Sequence, residues 1–182
     1  MNLPNRLTLL RILMVPVFLA ILSLRLPLGD YIAAGVFVLA ACTDGLDGYI
    51  ARKKKMITAL GKLLDPLADK LLVSSALIAL VEMDRLSGWV AVIIIGREFA
   101  VTGLRSLAAA EGVIISASRL GKIKTITQIV AIVAMFLRDF PFNLINVPFG
   151  NIAMSVAVIF TIWSGMDYFQ QAGFLLKSKN NG

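Results

Sequence analysis

With 182 residues, of which 58% are hydrophobic and 16% charged, and a mean hydropathy of +0.84, the chain is too apolar for a soluble domain of its length. Its single cysteine, Cys42, excludes an intramolecular disulfide and a zinc-type cysteine cluster. A net charge of +7 would suit nucleic acid, but the basic residues sit at the ends of apolar runs rather than on a soluble face, which points to anionic headgroups instead.

A membrane-crossing helix needs about 20 mostly apolar residues. Six such runs follow one another: Leu7 to Pro27, Tyr31 to Ile50, Gly61 to Glu82, Gly88 to Ala109, Leu120 to Leu137 and Phe149 to Gln170. They use nearly the whole chain and predict an all-α polytopic membrane protein, a single domain over residues 1–182 with six transmembrane helices. The first run could pass for a signal peptide, because Arg6 and Arg11 precede Ile12 to Leu22, but no small-residue cleavage pattern follows it. Short cytoplasmic loops are rich in Lys and Arg. With both termini inside, Arg6, Arg11, Arg52 to Lys55, Lys62, Lys70, Arg105, Arg119, Lys122, Lys124, Lys177 and Lys179 fall on the cytoplasmic side, and only Arg25, Arg85 and Arg138 fall outside.

The second and third runs meet in an acidic stretch. Asp44 and Asp47 end the second run, then come Gly48, Ala51 and Arg52, and after eight residues Gly61, Asp65 and Asp69 at intervals of four. On helices, Asp44 and Asp47 share one side, while Asp65 and Asp69 stack one turn apart. An Asp at the centre of a membrane helix costs about 2.5 to 3.5 kcal/mol, so four together need compensation. Divalent cations would supply it. The ligands are all hard oxygens and the chain has no histidine, which favours Mg²⁺ or Mn²⁺. Four carboxylates have room for two ions, the arrangement that clamps the attacking and leaving oxygens of a phosphoryl displacement. Gly48 and Gly61 leave space beside the acids for a ring or a pyrophosphate, although small residues at this spacing also suit close helix packing. Arg52 offers a planar donor fork for phosphate oxygens. Pro66 strips the carbonyl of Lys62 of its helical partner, so it either kinks the third helix or starts it behind an Asp65 cap.

The spacing D-x2-D-G-x2-A-R-x8-G-x3-D-x3-D, complete from Asp44 to Asp69, resembles the signature of the CDP-alcohol phosphatidyltransferase family. The resemblance implies a six-helix membrane fold with a cytoplasm-facing polar cavity, a homodimer, and residence in the bacterial cytoplasmic membrane. It further implies that Asp44, Asp47 and Asp65 ligate metal, that Asp69 contacts the second metal and acts as catalytic base, and that Gly48, Arg52, Thr58 and Gly61 line the site of CDP-diacylglycerol. Asn5 and Thr8 resemble further nucleotide contacts of the family; from the residues alone, Asn5 reads as interfacial and Thr8 as a helix cap.

Acceptor choice should rest on basic residues of the cavity. Arg97 lies near the middle of the fourth run, where snorkelling is hardest. Glu98 and Arg105 share a face of that helix, and Lys122 and Lys124 enter the fifth. An anionic acceptor suits this cluster. The stretches Gly96 to Arg105 and Gly121 to Thr125 resemble the branch of the family whose acceptor is sn-glycerol 3-phosphate. Two plainer readings stand beside this one: Arg97 and Glu98 as inter-helix partners, and Lys122 and Lys124 as interface anchors. Inositol phosphate, serine or phosphatidylglycerol as acceptor is the near alternative, and a membrane cation transporter the distant one.

Overall fold

The computed structural model describes the backbone of residues 3–53, 59–113, 115 and 118–180; of residues 3–7, 44–53, 59–66, 119, 143 and 174–180 only the helical path is described. Six α-helices follow in order, α1 Leu3–Ser23, α2 Gly29–Lys53, α3 Ala59–Glu82, α4 Gly88–Ala110, α5 Arg119–Phe136 and α6 Phe149–Asn180, with one 3₁₀ turn at Phe142–Ile145. No strand occurs among the described residues. Each predicted run becomes one helix. α3 begins at Ala59, so Pro66 lies inside it and does not start it. Thr8 is no cap either: it sits inside α1 and is fully buried.

Helices α1, α2 and α3 pack mutually, and α6 packs on α4 and α5; α2 and α3 join the two groups through α5 and α4. Small residues make the close approach feasible, with Ala33, Ala34, Ala40, Ala76, Ala131 and Ala157 all buried in the contact layer. At its centre Phe18 meets Phe136 edge-on, with ring centroids 5.5 Å apart, and Phe37 at 6.3 Å. The exterior is far more apolar than that of a water-soluble bundle, and a few polar side chains are buried within the apolar core. Leu13, Leu39, Ile78, Val92, Ile126, Ile159 and Trp163 face outward, while Arg11, Lys124, Gln128, Thr161 and Ser164 are inside. Arg11 is thus no headgroup anchor, because its face of α1 turns to α2, where Nε donates to the carbonyl of Ala40 at 3.2 Å.

Among the described residues, Phe149–Gly173 of α6 alone is long and apolar enough by itself to cross a bilayer, with mean hydropathy 1.5; Thr8–Ser23 and Gly29–Thr43 are shorter apolar stretches. In α4 the apolar run is interrupted by the charged Arg97, Glu98 and Arg105.

The helix ends differ between the two ends of the bundle. α4 closes in a Schellman turn, with Gly112 at φ 78° and Val113 N–H donating to the carbonyl of Ala108 at 2.8 Å. α3 and α5 close the same way, but with Asp84 at φ 56° and Arg138 at φ 54° where glycine is easier. At this end Asp30, on the first turn of α2, accepts from Arg85 at 2.6 Å and from Arg138 at 3.0 Å. One carboxylate therefore ties α2 to the turns after α3 and α5. Arg85 and Arg138, two of the three basic residues expected outside, are held by a local ion pair.

Burial raises the Asp30 carboxyl, but hydrogen bonds and charge from Arg85 and Arg138 outweigh it and hold the group below its ordinary value of 3.8. A carboxyl lowered in the folded state contributes stability above its unfolded pKa and loses it as pH falls through the folded one. Asp30→Asn is thus expected to lower the melting temperature at about pH 7, with the gap to wild type closing toward about pH 3. Thermal unfolding in detergent across that range checks it. A gap independent of pH would remove charge pairing as the cause.

Candidate active site

Asp44 and Asp47 lie on the last turns of α2, and Asp65 and Asp69 on the first half of α3, on helices that pack against each other. The side chains of Asp44, Asp47, Asp65, Gly48, Arg52, Gly61 and Asn5 lie outside the described residues, as does all of Thr58. No cluster of three acidic, cysteine or histidine side chains occurs among the residues described, so the donor set remains the one given by sequence: carboxylates alone. That chemistry fits a hard divalent cation.

Asp69 is described, half-buried, and it faces a cavity of about 610 Å³ bounded by α3, α4, α5 and α6. Arg97, Arg105, Lys122 and Lys124 line the same cavity, with Lys70, Glu98 and Tyr168. Five basic and two acidic side chains make its described walls net positive, as a dianionic ligand requires.

The basic residues divide into two kinds. Arg97 donates to Ser164 Oγ of α6 at 2.8 Å and to its neighbour Glu98 at 3.2 Å, and its guanidinium lies 5.5 Å from the centre of the Tyr168 ring. Glu98 also pairs with the buried Lys124 of α5. Asp69 and Arg97 lie near enough to Lys124 for their charges to be felt there. This chain of contacts joins α4, α5 and α6, so the inter-helix reading of Arg97 and Glu98 holds, and Lys124 is no surface anchor. Arg105 and Lys122 are different: both are exposed at the cavity wall, with no partner among the described residues.

Sequence reasoning missed the α6 side of this cavity. Gly165 lies against Arg97, where an added Cβ would stand 3.3 Å from Arg97 Cγ, and the neighbouring Ser164 receives the guanidinium. Tyr168, one turn on, is buried, and its hydroxyl accepts from the backbone N–H of Ser118 at 3.0 Å, fixing the entry to α5. Ser118 Oγ in turn caps α5 by accepting from Gly121 N–H at 3.1 Å. The only trace in the sequence was a small polar residue, a glycine and a tyrosine at helical spacing inside an apolar run.

Comparison with known proteins agrees with the motif. A family model described as CDP-alcohol phosphatidyltransferase matches residues 1–163. The chain is 47% identical to the CDP-diacylglycerol–glycerol-3-phosphate 3-phosphatidyltransferase of Bacillus subtilis (strain 168), covering 98% of this chain and 99% of that one. It is 39% identical to the protein of the same description from Rickettsia typhi, over 93% and 96% of the two chains. A probable phosphatidylglycerophosphate synthase of Mycobacterium tuberculosis is 42% identical over 94% of this chain and 81% of its own. With a family model spanning most of its length and relatives this similar from end to end, the chain belongs to the CDP-alcohol phosphatidyltransferase family.

Proposed function

We propose that the chain is a phosphatidylglycerophosphate synthase, transferring the phosphatidyl group of CDP-diacylglycerol to sn-glycerol 3-phosphate with release of CMP. The names of its relatives support both substrates. The observation that carries the reading is the cavity itself: Asp69 on one wall, and on the others the cations Arg105 and Lys122, which have no partner among the described residues.

The acceptor's phosphate enters on Arg105 and Lys122, and its free primary hydroxyl is presented to Asp69. The hydroxyl oxygen forms a bond to the phosphorus bearing diacylglycerol, the bond from that phosphorus to the CMP oxygen breaks, and the hydroxyl proton passes to Asp69. A carboxylate is a weak base for an alcohol. Proton transfer therefore comes late, as the forming bond acidifies the hydroxyl. Asp44, Asp47, Asp65 and Asp69 would hold two Mg²⁺ or Mn²⁺ ions, which supply neutralisation of the pyrophosphate charge. Arg52, Gly48, Gly61 and Thr58, with Asn5 and Thr8 of α1, receive the CDP moiety. Arg97, Glu98 and Lys124 keep the wall of the acceptor cavity in place, so the positive field needs no reorganisation during the reaction.

The apolar exterior, with charged side chains such as Arg11 and Lys124 turned inward, supports an integral membrane protein in which all six helices cross the bilayer, the charged ones shielded by their neighbours. The basic residues near Asp69 support a cytoplasmic orientation for this cavity and both termini in the bacterial membrane, and the family resemblance supports a homodimer as the active form.

The test is CMP release from CDP-diacylglycerol by the purified protein in detergent with Mg²⁺, offering sn-glycerol 3-phosphate, inositol phosphate, serine and phosphatidylglycerol in turn. Release is expected with glycerol 3-phosphate. Release only with another acceptor would overturn the assignment.

A further inference from the structure

One turn below Lys124 on α5, Gln128 is 2% exposed, and neither its amide oxygen nor its amide nitrogen has a partner among the described residues. An amide buried in that state is costly, and leucine or methionine would pack the same space without that cost. Val73, Ile94, Ile95 and Ile129 form the apolar part of the wall around it, and none of the polar side chains described there bonds the amide. The amide does, however, line a recess of about 20 Å³ that shares Asp69, Glu98, Lys124 and Thr125 with the larger cavity. A volume near 20 Å³ admits one small polar group, on the order of a water or a hydroxyl, and neither a phosphate nor a ring.

We infer that Gln128 binds the acceptor's second hydroxyl, the one that neither attacks nor carries phosphate, and so sets the specificity of the cavity for a phosphorylated polyol. This rests on the acceptor reading above. With the phosphate on Arg105 and Lys122 and the attacking hydroxyl at Asp69, the carbon between them carries its hydroxyl toward the recess. There the amide oxygen accepts from that hydroxyl and the amide nitrogen donates to it. A site built this way discriminates against an acceptor lacking the hydroxyl, because the buried amide is then left unpaired.

The experiment compares sn-glycerol 3-phosphate with 3-hydroxypropyl phosphate, which keeps the attacking hydroxyl and the phosphate but lacks the hydroxyl between them. Initial rates are measured with the full chain in detergent, with saturating CDP-diacylglycerol, for wild type, Gln128→Met and Gln128→Asn. Wild type is expected to prefer glycerol 3-phosphate by about tenfold to a hundredfold in kcat/KM, the cost of one buried polar group left unsatisfied. Gln128→Met should bring the ratio to within about threefold, with the loss falling on glycerol 3-phosphate alone, and Gln128→Asn should lie between. A wild-type enzyme that transfers to both acceptors equally would sink the inference without any variant. Equal losses on both acceptors in a variant would sink it too, as the mark of a merely structural glutamine. No transfer to glycerol 3-phosphate at all would instead refute the acceptor assignment.

Discussion

Asp69→Asn is expected to cut turnover by about 10² to 10⁴-fold while CDP-diacylglycerol still binds within a few-fold of wild type. The amide keeps the shape of the carboxylate but cannot take the acceptor's proton. On the proposed reading Asp44, Asp47 and Asp65 would remain as the greater part of the donor set, and Arg52 for the phosphates. Of the four motif acids, Asp69 is the one whose surroundings are described, and they suit an anionic acceptor: it lines the cavity with Arg97, Arg105, Lys122 and Lys124 and the recess with Gln128. A base has to stand where the acceptor hydroxyl arrives, which the proposed binding mode puts at this cavity. CMP release under single turnover measures the chemical step, and protection against thermal unfolding by CDP-diacylglycerol measures binding. If binding disappears along with turnover, Asp69 is a structural ligand and the proton goes elsewhere.

Much of this architecture was legible in the sequence because a bilayer reduces structure to apolar runs and their interruptions. The run from Gly88 emerged as α4 and that from Phe149 as α6, each starting at the expected residue, since Ser87-Gly88 and Pro148-Phe149 interrupt the apolar pattern sharply. Boundaries slipped where the punctuation was itself helical. Gly61 and Pro66 lie within α3, and α1 begins at Leu3 and ends at Ser23, before the left-handed turn at Arg25. The acidic motif was legible because charge in an apolar run is costly and therefore conspicuous. What could not be read was rotation. A helix apolar on every side, such as α6, does not declare which face turns inward, so Ser164, Gly165 and Tyr168 gave no warning that they receive Arg97. The same blindness hid Arg11 and Gln128, whose burial depends on neighbouring helices rather than on their own.

Rotation also decides what the basic residues do, and this yields the second large effect. Arg105→Ala and Lys122→Ala are each expected to raise the KM for glycerol 3-phosphate about tenfold with kcat nearly unchanged, and the pair together by more. Both side chains are exposed on the cavity wall without a partner among the described residues, so their charge is available to a ligand. Their contribution acts in both ground and transition states, since the acceptor's phosphate does not react; that is why KM moves and kcat does not. Exposure also makes it screenable, so added salt should raise the wild-type KM more than that of the double variant. Arg97→Ala should behave otherwise. Its guanidinium is engaged by Ser164 and Glu98, and losing it frees Glu98 to reorganise around Lys124, so kcat and thermal stability should fall together. Steady-state kinetics with both substrates varied separates the two patterns. Unchanged KM for glycerol 3-phosphate in Arg105→Ala, Lys122→Ala and the double variant would remove the acceptor's phosphate from this cavity, while a rise confined to Arg97→Ala would move it inward to the Glu98–Lys124 pair.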